Sequence, residues 1–129
     1  VRLNPIFRLF FYLTFAVLIA SGVAWFLFEP FPLMLALHGG SAMLFLLALG
    51  SMLPLHLLPA WGSGKNLATG LFMGAAMLIL IVSAHGLYYL GSETLRGWAS
   101  EIHLWVGLAV PILLVVHILI GRAWLGGRG

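Results

Sequence analysis

The side chains in this chain best suited to metal or proton chemistry are five histidines, His38, His56, His85, His103 and His117. No cysteine accompanies them, which removes disulfides and thiolate metal sites. His103 and His117 stand 14 positions apart. On an α-helix that spacing is about 1400° of rotation, roughly 40° short of four turns, with a rise of about 21 Å. The two imidazoles therefore share one helix face at different heights. His38 and His56 stand 18 positions apart, about five turns and about 27 Å, and on an ideal helix they too share a face. A neutral imidazole donates a nitrogen lone pair to a transition metal, and imidazole is also the commonest proton carrier near neutral pH.

The elements that must position these rings are membrane helices. Of 129 residues, 63% are hydrophobic and 7% charged, and the mean hydropathy is +1.14, far from the composition of soluble domains. Stretches free of Asp, Glu, Lys and Arg run from Leu9 to Phe28, Pro30 to Gly64, Asn66 to Ser92 and Ile102 to Gly121. Each supplies the roughly 20 residues needed to cross a bilayer core. Helices are expected at about 6–28, 33–58, 67–90 and 101–124. The first apolar stretch is too long for the core of a cleavable signal, and Phe26-Leu27-Phe28-Glu29-Pro30 offers no small-residue cleavage site.

Pro30 and Pro32, then Pro59 with Gly62-Ser63-Gly64, then Gly91-Ser92-Glu93 punctuate the connections. These are too short for a second domain, and no internal repeat is visible, so residues 1–129 are expected to form one transmembrane domain. Pro54 and Pro111 fall inside helices, where local kinks are expected. The expected fold class is all-α, a transmembrane four-helix bundle. Arg2, Arg8, Lys65, Arg122 and Arg128 fall on one side, against Glu29, Glu93, Glu101 and Arg96 on the other, which predicts both termini in the cytoplasm. Trp61 and Trp124 then mark the inner interface, and Trp25, Trp98 and Trp105 lie toward the outer one. A net charge of +3 scattered over helix ends forms no nucleic-acid patch.

Ionisable groups inside a membrane are costly and mark function. Both the second and the fourth helix run inward, so His38 is level with His103, and His56 with His117. Two facing pairs at two depths match what two iron porphyrins require: one neutral imidazole on each side of each ring, within an apolar bundle that solvates the macrocycle. Without a C-x-x-C-H motif the haem is held non-covalently, as haem b. The two separations differ by about 6 Å on ideal helices, to be absorbed by a kink at Pro54 or by relative tilt. His85 lies at the depth of His38 and His103, as a spare histidine or an alternative ligand. Gly107 and Gly121 each follow a histidine by four positions, and Gly39, Gly40 and Gly86 adjoin others. These glycines either make room for a flat macrocycle or permit close helix packing.

These residues resemble the small di-haem cytochrome b subunits of bacterial formate dehydrogenases and nickel-iron hydrogenases. The likeness spans all four helices. Its most specific part runs from His103-Leu-Trp-Val-Gly107 to His117-Ile-Leu-Ile-Gly121, similar to the family's fourth helix with one ligand for each haem. His38 matches the family's outer-haem ligand. Gly64-Lys65-Asn66 is similar to the loop where formate dehydrogenase subunits bind quinone. The pattern departs on the first helix, where relatives supply the other inner-haem ligand and this chain has Phe10, Phe11 and Tyr12. His56 would substitute.

The resemblance implies electron transfer between an extracytoplasmic redox subunit, an iron-sulfur protein or a c-type cytochrome, and quinone in the bacterial inner membrane. Lipid is the chain's other partner. The residues agree in one respect, since short outer connections leave no space for a substrate site of the chain's own. Ser63, Lys65 and Asn66 lie at the inner surface beside the His117 end, where Lys65 serves equally as a topology anchor. Arg8 and Arg96 are placed to meet haem propionates or to stand as interfacial charges. Alternative readings are a stand-alone di-haem superoxide:quinone oxidoreductase and a metal transporter using His with Met34, Met43, Met52, Met73 and Met77. A proton-coupled exporter would want a carboxylate within a helix, and Glu29, Glu93 and Glu101 all sit at helix ends.

Overall fold

The structure, a computed structural model, describes residues 4–28, 31–64 and 66–126, the side chains of 125 and 126 excepted. Five α-helices, α1 (Pro5–Leu27), α2 (Pro32–Met52), α3 (Leu58–Ser63), α4 (Leu67–Tyr89) and α5 (Glu93–Gly126), are joined by short turns and by a π-helical segment, Leu53–Leu57, between α2 and α3. No strand occurs among the described residues. Four spans are long and apolar enough to cross a membrane: α1, α2 through α3 as Pro32–Ser63, α4, and α5 over Glu93–Trp124. The fold is all-α and of transmembrane type, as the hydropathy pattern predicts. Arg2, Glu29, Lys65 and Arg128, four of the charges that mark the sequence topology, lie outside the described residues.

The helices gather into two compact units, Val1–Ser63 and Gly64–Gly129, each a helical hairpin. In the first, Asn4 caps α1 by accepting from the Ile6 amide at 2.8 Å, and Pro5 occupies the first helical position, where a missing N–H costs nothing. Phe45 of α2 is buried between Phe11 and Phe15 of α1, with ring centroids 5.0 and 5.6 Å away. Further along the seam His38 lies against Gly22, so low-numbered residues of α1 meet high-numbered residues of α2 and the helices are antiparallel. Thr14 and Ser21 are buried and donate back to the carbonyls of Phe10 at 2.9 Å and Val17 at 2.7 Å. Small hydroxyls are tolerated at such seams because their protons return to their own helix.

Pro54 explains the π segment. Its ring removes the amide that would bond Gly50 and crowds the carbonyl four residues back. The chain responds with a wider turn, in which the Leu53 amide reaches only to Gly50 and the Leu58 amide reaches back five residues to Leu53. The five-turn estimate linking His38 to His56 assumes an unbroken α-helix, so neither its shared face nor its 27 Å rise carries through this segment. Pro111, by contrast, lies inside an α5 that continues past it.

In the second hairpin Gly86 of α4 packs on Ala99 of α5, and a Cβ at Gly86 would lie 3.2 Å from the Ala99 Cβ. Gly107 of α5 meets Leu80 of α4, and the Asn66 amide lies beside His117, which again gives an antiparallel pair. α5 begins eight residues earlier than its apolar stretch predicts. Ser92 caps it, receiving the Leu95 amide on Oγ at 3.4 Å and the Arg96 amide on its carbonyl at 3.0 Å, while Glu93 complements the helix dipole. At 34 residues the helix is about 51 Å long and exceeds the roughly 30 Å of a hydrocarbon core. The turns gained are polar enough to project beyond it.

Among the described residues the buried apolar side chains are Phe45, Ala48, Ala76, Met77, Ala99 and Val110. The core is thus two thin seams, and most Leu, Ile and Phe side chains point outward, as membrane lipid requires. All five tryptophans are exposed, in keeping with interfacial positions. Replacing Phe45 by Ala removes two ring contacts and should destabilise the first hairpin by about 1–3 kcal/mol, measurable as a lowered unfolding midpoint in detergent.

Candidate functional site

A histidine presented to a metal must hold its other ring nitrogen in a hydrogen bond, which fixes both tautomer and ring plane. His38 meets this condition on α1. Its Nδ1 lies 3.0 Å from the Leu18 carbonyl oxygen and 3.3 Å from Ser21 Oγ. A carbonyl only accepts, so Nδ1 carries the proton and Nε2 bears the lone pair. Gly22 makes the approach possible, because a Cβ there would stand 2.9 Å from His38 Cε1 and 3.2 Å from Nδ1.

The two α5 histidines meet α4 in the same manner. His103 Nδ1 lies 3.0 Å from Ser83 Oγ, and the Ser83 hydroxyl donates to the Leu80 carbonyl at 3.1 Å. Ser83 Oγ is thus shared between the His103 ring and the Leu80 carbonyl. His117 Nδ1 lies 2.9 Å from Thr69 Oγ1, and the Thr69 hydroxyl in turn donates to Asn66 Oδ1. Both rings thus lie toward α4, in line with the shared face that the 14-residue spacing predicts. Thr69 and Ser83 are themselves 14 positions apart, the interval between the histidines. That matched interval is the signal in the sequence that finds these partners, together with an antiparallel register pairing 69 with 117 and 83 with 103. Ser21, Gly22, Thr69 and Ser83 all escape a search confined to metal-ligating residue types.

Asn66, expected near quinone, is placed against His117. Its Nδ2 donates to the His117 carbonyl at 3.0 Å and lies 3.4 Å from Nδ1. Asn66 has φ 53 and Gly64 has φ +65, left-handed values for which Asn and Gly are the cheapest residues. Lys65, between them, lies outside the described residues. The Gly121 position is explained here, since a Cβ would come within 3.3 Å of Asn66 Nδ2. Gly86 likewise serves close helix packing. Gly39 and Gly40 face open space, and at Gly107 a Cβ would only touch Leu80 at 3.8 Å.

His56 lies exposed within the π segment that Pro54 introduces. His85 is held differently from the other three. Its Nδ1 donates to the Ile81 carbonyl of its own helix at 2.9 Å, and its exposed ring lies beside Tyr89 with centroids 6.1 Å apart. Arg8 and Arg96 are exposed.

Fold and site together define a helical protein with four membrane-length spans and three histidines oriented by their hairpin partners. No protein family, no curated protein and no solved structure matches the chain.

Gly22→Ala should push the His38 ring off α1, break its bond to Leu18 and cost about 1 kcal/mol. Gly74→Ala, where nothing lies within 4 Å, should be neutral or stabilising by up to about 1 kcal/mol through helix propensity. Thermal unfolding of the two variants in detergent separates these outcomes.

Proposed function

We propose that this chain is a membrane-embedded di-haem b-type cytochrome subunit of the bacterial inner membrane. In this reading both termini are cytoplasmic, and electrons pass between an extracytoplasmic redox subunit, an iron-sulfur protein or a c-type cytochrome, and membrane quinone. One observation carries it: His38, His103 and His117 all have Nδ1 engaged by the neighbouring helix of their own hairpin, and for His38 the carbonyl partner puts the lone pair on Nε2. That tautomer is the one required for axial ligation of haem iron. Three histidines fixed alike inside apolar spans exceed what structural hydrogen bonding needs.

Haem b supplies one-electron chemistry when bound. The chain's own contribution would be to hold the imidazole planes through the seam contacts of each hairpin. The ligand sets follow the sequence depths: His38 with His103 for the outer haem, and His117 with His56 for the inner. His56 is the substitute for the first-helix ligand that the resembling cytochromes have, and its place in a π segment, a feature frequent at functional sites, supports a role. His85 remains the alternative ligand. For quinone the support is the polar stretch Ser63-Gly64-Lys65-Asn66 at the start of α4, together with the resemblance of Gly64-Lys65-Asn66 to a quinone-binding loop.

A reduced-minus-oxidised absorption spectrum of the purified chain, with haem quantified, should give b-type bands and two haems per chain. No Soret difference would sink the assignment. His56→Ala should lose one haem and His85→Ala should keep both. Two haems surviving the loss of His56 would mean that the inner site takes a different ligand.

A further inference from the structure

The start of α4 holds His117 at two points, on either side of the torsions that orient its ring. Thr69 Oγ1 lies 2.9 Å from the ring Nδ1. Three residues earlier, Asn66 Nδ2 donates to the His117 backbone carbonyl at 3.0 Å, a bond whose direction is fixed because a carbonyl only accepts. A ring tied at Nδ1 alone can pivot with its backbone, whereas one tied at Nδ1 and at the carbonyl of the same residue cannot turn without breaking a bond. Asn66 is shaped for this reach. It precedes α4 with φ 53, its side chain makes no capping bond to that helix, and its own carbonyl receives the Gly70 amide at 3.2 Å. A non-glycine residue kept in the left-handed region costs free energy that its surroundings must offset. Gly121 makes the room, since a Cβ there would stand 3.3 Å from Asn66 Nδ2, and Gly70 lies against the ring, its Cβ position 3.7 Å from His117 Cε1.

We propose that Asn66 is a positioning residue, a latch that fixes the His117 backbone on α4 and thereby sets the plane of the His117 imidazole. Inside a membrane span a side-chain amide has no water to compete for its N–H, so the latch persists and α4 and α5 cannot slide past each other at this level. Groups that orient a ligating ring from behind are part of what tunes a haem site, and the plane of an axial imidazole governs the magnetic anisotropy of a low-spin ferric haem. Asn66 acts there through His117 and not by contact with the iron. The positioning rests on the haem reading above, whereas the latch itself does not.

The chain has two asparagines, Asn4 and Asn66, and no glutamine, so 15N-labelled asparagine gives two side-chain amide signals in the full chain, held in detergent and reduced so that any iron is diamagnetic. Asn4 is exposed, with its oxygen accepting from the Ile6 amide, and serves as the internal reference. The Asn66 amide should exchange with water about tenfold more slowly than that of Asn4. Gly121→Ala, which crowds Nδ2 and leaves Asn66 in place, should remove most of that protection, and Gly74→Ala, where nothing lies within 4 Å, should keep it. In the ferric chain, electron paramagnetic resonance should show the largest g value of one low-spin haem moving in Gly121→Ala and in Asn66→Gly, which tolerates φ 53. The other haem should stay at its wild-type value. Asn66→Gly carries the test if Gly121→Ala does not fold. Exchange of Asn66 as fast as that of Asn4 in the wild type overturns the latch. A protected Asn66 with both g values unmoved in Asn66→Gly overturns the positioning, even where quinone reduction slows, and so do two g values that move together. A wild-type chain that takes up no haem removes the function proposed above and the positioning with it, and the exchange rates still decide the latch.

Discussion

An imidazole inside a membrane has no water to bond, and this constraint governs the placement of nearly everything else. A polar group left unsatisfied in hydrocarbon costs several kcal/mol, so each buried ring N–H must find an acceptor on a neighbouring helix or its own. The Leu18 carbonyl accepts from His38, and the Ser83 and Thr69 hydroxyls partner His103 and His117. Once Nδ1 is bound, the ring plane is set and Nε2 can only point away from the contact. The seams of both hairpins are built to allow this. Gly22 is bare so that His38 can lie on α1, and Gly121 is bare so that Asn66 can reach along α5.

The rest of the fold is economical in what it buries. Association of helices in lipid gains little from hydrophobicity and depends on close packing and hydrogen bonds. Ala48, Ala76 and Ala99 are accordingly among the buried residues, whereas long aliphatic side chains face outward. The exception is the Phe11–Phe15–Phe45 cluster, which fills one end of the first hairpin. A proline placed shortly before His56 widens the helix instead of simply bending it. His56 is thereby separated in kind from His38, His103 and His117: it lies in a backbone irregularity, and they lie in seam contacts.

His38 donates to the Leu18 carbonyl, His103 shares a hydrogen bond with the Ser83 hydroxyl, and His117 shares one with the Thr69 hydroxyl. None of these three partners is a group that a search for metal ligands would select.

Apolar runs, helix punctuation and the 14-residue interval of His103 and His117 are local properties, so the spans and the α5 face were legible from the sequence alone. The start of α5 was legible in principle from Ser92 and Glu93, but hydropathy obscured it because the first turns are polar. The consequence of Pro54 was only half legible: a break in the ladder follows from the missing amide, whereas the choice of a π turn over a kink depends on the surrounding packing. Tertiary structure alone decided what each histidine touches. Periodicity fixes the face of a helix on which a ring lies, but a hydrogen bond between helices also requires a definite register between two chain segments. That register is set by packing across the seam: Gly86 on Ala99 brings Ser83 to His103 and Thr69 to His117.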